Sequence, residues 1–344
     1  MAKSFPYIEV SGTNYQIGCA IGEHIREKIQ DYGMRMKALY STLVKGSGYN
    51  LGRMAAKTKR LTEKYFPQYL DELRGIASGS GISLNEMLLL CSEETLLETI
   101  KGGKCTTFAY ACSEGALLCH NEDWLPGYED DLYIVKAKPK KGASFLSLAY
   151  IGALPGSSVA LNNYGIAFSG NSLLGGAQEG LPKNIILRSQ IEARTLEEFE
   201  KIASFSPRAI PNHSMAIDKE GHMLSMELAL DRYCAFYTND AFFVHTNHAL
   251  HPHIASLEIV PVKDSTARYN TAFEKLQKNR LSSSLAKKIL RSHDKEPYTI
   301  CAHAKTEEGH NSQTAASIIV NVNDVSMLIA QGNPCKSKYK AYSL

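Results

Sequence analysis

The chain has 344 residues, of which 44% are hydrophobic, and a formal net charge of +3. That is enough to bury a substantial core in one large domain or two small ones. The slight, scattered positive charge argues against a nucleic-acid partner, and no apolar run approaches the ~18 residues that a membrane span needs.

Taken in chain order, Tyr7-Ile-Glu-Val10 reads as a short strand. Ile17, Ile21, Ile25 and Ile29 then recur every four residues, the apolar stripe of a helix. A second helical region covers roughly 54–77 and is punctuated by Gly75, Gly79 and Gly81. Ser83-x-x-Glu86 is a capping box that opens a helix through Leu88, Leu89 and Leu90. After residue 105 the texture changes to strands. Phe108 to Cys119 forms a hairpin around Ser113-Glu114-Gly115, followed by strands at 132–135, 144–150, 158–161 and 165–169. Helices are expected over 185–193 and, capped by Thr195-x-x-Glu198, over 199–203. Two further hairpins follow, 214–217 with 222–228 and 234–237 with 241–245, the second turning at Asn239-Asp240. Two helices occupy about 264–292, and strands at 316–320 and 326–329 flank Asn323-Asp324. Strand runs interrupted by helix pairs define an α+β layered fold. Without repeats or linkers, 1–344 reads as a single domain.

The eight cysteines (19, 91, 105, 112, 119, 234, 301 and 335) follow no regular spacing, which favours reduced thiols. With no Cys-x-x-Cys pair, a structural zinc site is not expected. The start, Met1 to Tyr7, lacks the apolar core of a secretory signal, so a cytoplasmic location is expected. Most free cysteines are small buried hydrophobes, and Cys112 and Cys119, alternating with apolar residues, fit that description. Cys105 differs. Gly102-Gly103-Lys104 precedes it and a hairpin follows, so its thiol stands at the start of a strand that can aim it. An acid, Asp123, lies 18 residues downstream in His120-Asn-Glu-Asp-Trp124. A cysteine at such a junction can cut its own chain and then use the freed α-amine as the base for its thiol. An α-amine with an ordinary pKa of ~7.7–8.0 suits general-base work at neutral pH.

The Gly-rich loop, Cys105-Thr-Thr107 and Asn121-x-Asp-Trp124 together resemble the acyl-coenzyme A:6-aminopenicillanic acid acyltransferase (isopenicillin N acyltransferase) family of N-terminal-nucleophile cysteine hydrolases. The resemblance extends over nearly the whole chain. It includes Ile8-Glu-Val-Ser-Gly12 with Tyr15, Gly18 and Gly22; Asn162-x-x-Gly165 with Ser169-Gly-Asn171; Thr246-Asn-His248; Asp264-Ser-x-x-Arg268; and Gly332-Asn-Pro-Cys335. It implies a four-layer α/β/β/α sandwich and a precursor that cuts itself between Lys104 and Cys105. The products are a small chain, 1–104, and a large chain, 105–344, which remain each other's partners. The sequence departs from the penicillin acyltransferases in carrying lysine rather than glycine before the cysteine.

The resemblance also implies roles. Cys105 is the nucleophile, and Asp123 the acid that holds the amine or thiol. Asn171 and Asn247 form the oxyanion hole, and Arg268 is the fixed positive charge beside the thiol. Trp124 and Thr106 line the substrate pocket. The substrate is a small molecule with an N-acyl bond, linear or β-lactam in type, and the acyl group passes to water or to an amine. No cofactor is implied, although acyl-coenzyme A is admissible as an acyl donor, and homo-oligomerisation is left open. Two other readings stand beside this one. The departure at Lys104 suits a relative that keeps the fold without maturing. His245, His248, His251 and His253 suggest a metal-dependent hydrolase, but no carboxylate or cysteine completes a ligand set, so no metal is expected. A Gly-x-Ser-x-Gly nucleophile elbow is absent.

Overall fold

The computed structural model describes residues 4–43, 50–97, 104–173, 175–256, 263–304 and 312–344, with only the backbone of Lys104. Gly102 and Gly103, on the amino side of the expected cut, lie outside the described residues.

A strand, β1 (Tyr7–Gly12), leads into α1 (Asn14–His24), α2 (Arg26–Leu43), α3 (Leu51–Tyr65), α4 (Pro67–Ser80), α5 (Leu84–Cys91) and α6 (Glu93–Leu97). The isoleucine stripe is buried as expected, but it runs over two helices, because Ile25 is the C-cap of α1. The region read as one helix over 54–77 is likewise two. Pro67 cannot continue α3 and instead opens α4, where its missing N–H costs nothing. The Ser83 capping box forms as expected.

Gly75 and Gly79 are not helix ends. They lie inside α4, facing Gly18 and Gly22 of α1, and let the two backbones touch. A Cβ on Gly75 would stand 2.2 Å from the Tyr15 carbonyl oxygen, and one on Gly18 2.0 Å from that of Glu72. Backbone cannot yield as a side-chain tip does, so Gly75→Ala is expected to lower stability by about 1–3 kcal/mol, the scale of core overpacking. Thermal unfolding checks it; an unchanged Tm would contradict this contact. Glu72 of α4 accepts from Asn14 Nδ2 of α1 at 2.8 Å and from the fully buried Arg188, farther along the chain, at 3.1 Å. The guanidinium also lies over the rings of Tyr69 and Phe145.

The remaining elements are β2 (Lys104–Cys112), β3 (Gly115–Trp124), β4 (Leu132–Pro139), β5 (Phe145–Tyr150), β6 (Val159–Asn162), β7 (Ile166–Ser172), α7 (Lys183–Gln190), α8 (Leu196–Ala203), β8 (Asn212–Asp218), β9 (Met223–Leu228), β10 (Tyr233–Thr238), β11 (Phe242–His245), α9 (Pro252–Ala255), α10 (Lys263–Lys278), α11 (Ser283–Leu290), β12 (Gln313–Asn321), β13 (Ser326–Gln331) and β14 (Lys340–Ser343). They build an eight-stranded sheet, β1-β4-β5-β6-β7-β8-β9-β10, and a six-stranded sheet, β11-β2-β3-β12-β13-β14. The β1–β4 pairing is parallel and the other ladders are antiparallel.

Alternation along the strands sorts side chains into layers. Ala109, Ala116 and Leu118 meet Ile134, Leu146 and Met215 between the sheets. Phe108, Tyr110, Leu117 and Cys119 pack against Leu276 and Ile289 of α10 and α11. On the outer face of the larger sheet, Phe145 and Phe168 meet Ile17, Leu73 and Ile185 of the other helix layer. The result is the α/β/β/α sandwich. One expected hairpin does not form. β10 pairs with β9, whereas β11 pairs with β2 in the other sheet. Asn239-Asp240 is therefore a crossing between sheets, and the crossing brings residues 245–247 beside the start of β2.

Candidate active site

The β2–β3 hairpin places Lys104 opposite Asp123, Cys105 opposite Glu122, Thr106 opposite Asn121 and Thr107 opposite His120. Directly opposed residues share a face. Cys105, Thr107, His120 and Glu122 therefore point between the sheets, while Thr106 and Asn121 point toward α10 and α11.

Cys105, only 2% exposed, is held at three of its atoms. Its N–H donates to Asn247 Oδ1 at 2.7 Å, and its thiol donates to Glu122 Oε1 at 3.2 Å. Its carbonyl accepts from Arg268 Nη1, which also donates to Thr106 Oγ1 at 3.0 Å. Arg268 Nη2 donates to Asn247 Oδ1 at 2.9 Å. One turn earlier on α10, Ser265 Oγ accepts from the Asn247 N–H at 2.7 Å. The i, i+3 spacing thus turns Ser265 and Arg268 of the Asp-Ser-x-x-Arg motif onto one helix face, gripping both Asn247 and Cys105.

Glu122 is the site residue that sequence reasoning missed, because Asp123 was singled out as the acid of His120-Asn-Glu-Asp-Trp124. Its Oε2 accepts from Ser158 Oγ and lies 3.2 Å from His120 Nε2. Burial pushes its carboxyl up, but His120, Ser158 and Lys183 outweigh burial and hold it down at about 2, so it is ionised at neutral pH. Burial, reinforced by Glu122 and Asp123, pushes the Cys105 thiol well above its usual range; Lys183 is the cation that opposes this. Arg268 grips the backbone of Cys105 rather than its sulfur. The hairpin turn alone could have revealed Glu122. Once Cys112 pairs with Gly115, counting back along both strands puts Glu122 opposite Cys105.

The other expected residues divide. Asp123 Oδ1 accepts from Thr314 Oγ1 of β12 at 2.6 Å. Asn171 lies one step removed. Its Oδ1 accepts from Thr107 at 2.7 Å, and its Nδ2 is directed at the carbonyl oxygens of Thr246 (3.0 Å) and His245 (3.4 Å). Asn247 Nδ2 donates to the Ser172 carbonyl at 3.0 Å. Trp124 is buried against Tyr128 and Tyr150. With Tyr150, Glu93, Glu94, Ser172 and Lys183 it lines a narrow cleft that reaches Glu122. Lys183 pairs with Glu94 at 2.6 Å there, and burial raises the Glu93 carboxyl to about 8.

Three of the four histidines of the metal reading have separate partners, and the fourth lies on one of them. His245 Nε2 lies 3.1 Å from Glu227, His248 Nδ1 lies 2.8 Å from Ser265, and His251 Nδ1 faces Cys234 at 3.2 Å. His253 stacks on His251, and its N–H meets His251 Nδ1 at 3.3 Å.

A two-sheet sandwich between helix layers is the fold of the N-terminal-nucleophile hydrolases, and Cys105 stands at the start of β2 within it. The model of the acyl-coenzyme A:6-aminopenicillanic acid acyl-transferase family matches residues 111–336, and the chain belongs to that family, whose relatives are amide hydrolases and acyltransferases. The matched span begins just after Cys105. The chain is 28% identical over 190 residues to the β-alanyl-dopamine/carcinine hydrolase of Drosophila melanogaster; the match covers 50% of this chain, which spans about half (49%) of that relative's length. It is 24% identical over 315 residues to the acyl-coenzyme A:6-aminopenicillanic-acid-acyltransferase 40 kDa form of Emericella nidulans, covering 89% of this chain and 87% of that one. Among solved structures, penicillin V acylase from Agrobacterium tumefaciens is similar at 13% identity and a TM-score of 0.49, over 66% of this chain and 83% of that one. Among the described residues, no helix is long and apolar enough to cross a membrane.

Proposed function

We propose that this chain is a self-processing cysteine amidase or amide acyltransferase that acts on non-peptide N-acyl bonds through an S-acyl-Cys105 intermediate. The observation that carries this reading is the threefold hold on Cys105, at its nitrogen by Asn247, its carbonyl by Arg268 and its thiol by Glu122. Any buried residue needs partners for its N–H and carbonyl, but one that only fills space needs neither a carboxylate on its thiol nor side chains from a loop and a helix gathered on its backbone.

In the precursor, Cys105 Sγ attacks the Lys104 carbonyl carbon while its proton passes to Glu122. The peptide C–N bond breaks, the Cys105 nitrogen takes up a proton, and a thioester remains. Water hydrolyses the thioester, leaving a carboxylate on Lys104 and a free α-amine and thiol on Cys105. In each turnover that amine accepts the thiol proton, and the thiolate attacks the substrate carbonyl. The leaving amine departs with a proton. Water or a second amine then takes the acyl group, matching the hydrolase and acyltransferase names of the two relatives.

Asn247 is the oxyanion donor in this scheme, with Asp123 placed by Thr314 to hold the new amine. Asn171 becomes a positioning residue, because its amide hydrogens are directed at the carbonyls of His245 and Thr246, immediately before Asn247. Asn247→Ala is expected to cut kcat by ~10²–10³, the usual cost of one oxyanion donor. Steady-state kinetics on the processed variant check it, and a rate within threefold of wild type would remove Asn247 from the role.

Intact mass spectrometry of the incubated protein tests the whole reading. Conversion of the 344-residue chain into 104- and 240-residue chains is expected. A full-length species that persists and lacks amidase activity against N-acyl amino acids, penicillins and acylated amines would overturn it, in favour of a relative that keeps the fold without maturing.

A further inference from the structure

Away from the hairpin, four ligand atoms converge where the loop after α11 meets the turn between β13 and β14. His293 Nε2 lies 3.1 Å from His303 Nε2. His303 Nε2 also lies 3.7 Å from Cys301 Sγ and 3.4 Å from Cys335 Sγ. All four atoms are within 4.8 Å of one another. A single imidazole nitrogen has one lone pair or one hydrogen, so it can serve one hydrogen bond and not three such neighbours. One metal ion at their centre would satisfy them all.

The spacing fits zinc. With Zn–N near 2.0–2.1 Å and Zn–S near 2.3 Å, a tetrahedron has edges of roughly 3.3 Å between nitrogens and roughly 3.6 Å between nitrogen and sulfur. The contacts of 3.1, 3.4 and 3.7 Å lie close to those edges. A second shell is present as well. Asn333 Nδ2 donates to Cys301 Sγ at 3.6 Å and to the Ala302 carbonyl at 2.6 Å. Cys301 is buried while His293 and Cys335 are exposed, which leaves a path for the ion to enter.

We propose that His293, Cys301, His303 and Cys335 bind one zinc ion as a closed, structural Cys2His2 site that clips the 291–304 loop to the Gly332–Cys335 turn. Both thiols bind as thiolates and release their protons to solvent. Four protein ligands leave no open position for substrate or water, so the ion positions and does not react. What it positions follows from Ala302, between two of the ligands. Its N–H donates to Thr314 Oγ1 at 2.9 Å, its carbonyl accepts from the Thr314 N–H at 3.0 Å, and Thr314 Oγ1 in turn holds Asp123. The site was missed in the sequence because its ligands come from four scattered positions with no Cys-x-x-Cys pair. It does not depend on the proposed chemistry at Cys105.

Elemental analysis of the full-length protein, purified without chelator, tests the site. About one zinc per chain is expected. His293→Ala and Cys335→Ser should each lose it, whereas Cys105→Ala should retain it, since Cys105, His120 and Glu122 form the other convergent set among the described residues. Should those variants fold poorly, cobalt(II) added to the chelator-treated wild type should give the intense visible bands and thiolate charge transfer of a tetrahedral site. Chelation should also lower the Tm, and added zinc restore it. No zinc after purification or after reconstitution and desalting, zinc lost with Cys105→Ala, or Cys301 and Cys335 recovered as a disulfide in metal-free protein would each overturn the proposal.

Discussion

Cys105→Ala is expected to remain a single 344-residue chain, with amidase activity lower by at least ~10⁴-fold, the scale of loss when a covalent nucleophile is removed. The same sulfur makes the cut and carries the acyl group, so no later step can rescue the first. The fold should survive. Alanine fills most of the space, and Glu122 keeps Ser158 and His120 as partners when the thiol is gone. Three measurements separate the outcomes. Intact mass reports cleavage, turnover of an N-acyl substrate reports activity, and the Tm reports folding. A Cys105→Ala chain that still splits between residues 104 and 105 would assign the cut to an external protease. A folded variant that retained activity would remove Cys105 from the chemistry.

Glu122→Gln is expected to slow self-cleavage by ~10²–10⁴-fold, the range of general-base contributions, and to impair turnover of the chains already cut much less. The argument rests on what is available to take a proton before the cut. The Cys105 nitrogen is then a peptide nitrogen and not a base, and burial holds the thiol well above its usual range. Glu122 Oε1, at 3.2 Å, is positioned to receive the proton. After the cut the α-amine takes over. A merely structural Glu122 would lower both rates together, so the ratio of processing rate to turnover rate distinguishes the two roles. Processing of Glu122→Gln at the wild-type rate would exclude it as the base.

The fold was largely legible because its signals are local. The isoleucine period, the Ser83 and Thr195 caps and the alternation along the strands each report the environment of a few neighbouring residues. The errors fall where a local signal has two meanings. Glycines read as helix punctuation in α4 turned out to be the surface on which α1 lies, since a missing Cβ serves a close approach as well as a stop. Asn239-Asp240 has turn chemistry, but turn chemistry does not say whether the next strand returns to the same sheet.

The site divides along the same line. Cys105, with glycines before it and a hairpin after it, was recognisable from the sequence, and so were Asn247 and Arg268 as short motifs. Membership of the acyltransferase family agrees with those motifs. Which atoms meet was decided only in three dimensions. Residues 105, 122, 247 and 268 lie on two strands, a loop and a helix, and their convergence depends on strand register and on the crossing of the chain between sheets. For that reason Glu122 entered the site unexpected, Asn171 moved one step out of it, and Arg268 took the Cys105 carbonyl rather than its sulfur. By itself the sequence determined that a poised cysteine begins a strand in a layered α+β chain. Tertiary structure alone decided what holds that cysteine, because its hydrogen bonds depend on distances between residues far apart in the chain, which neither composition nor spacing encodes.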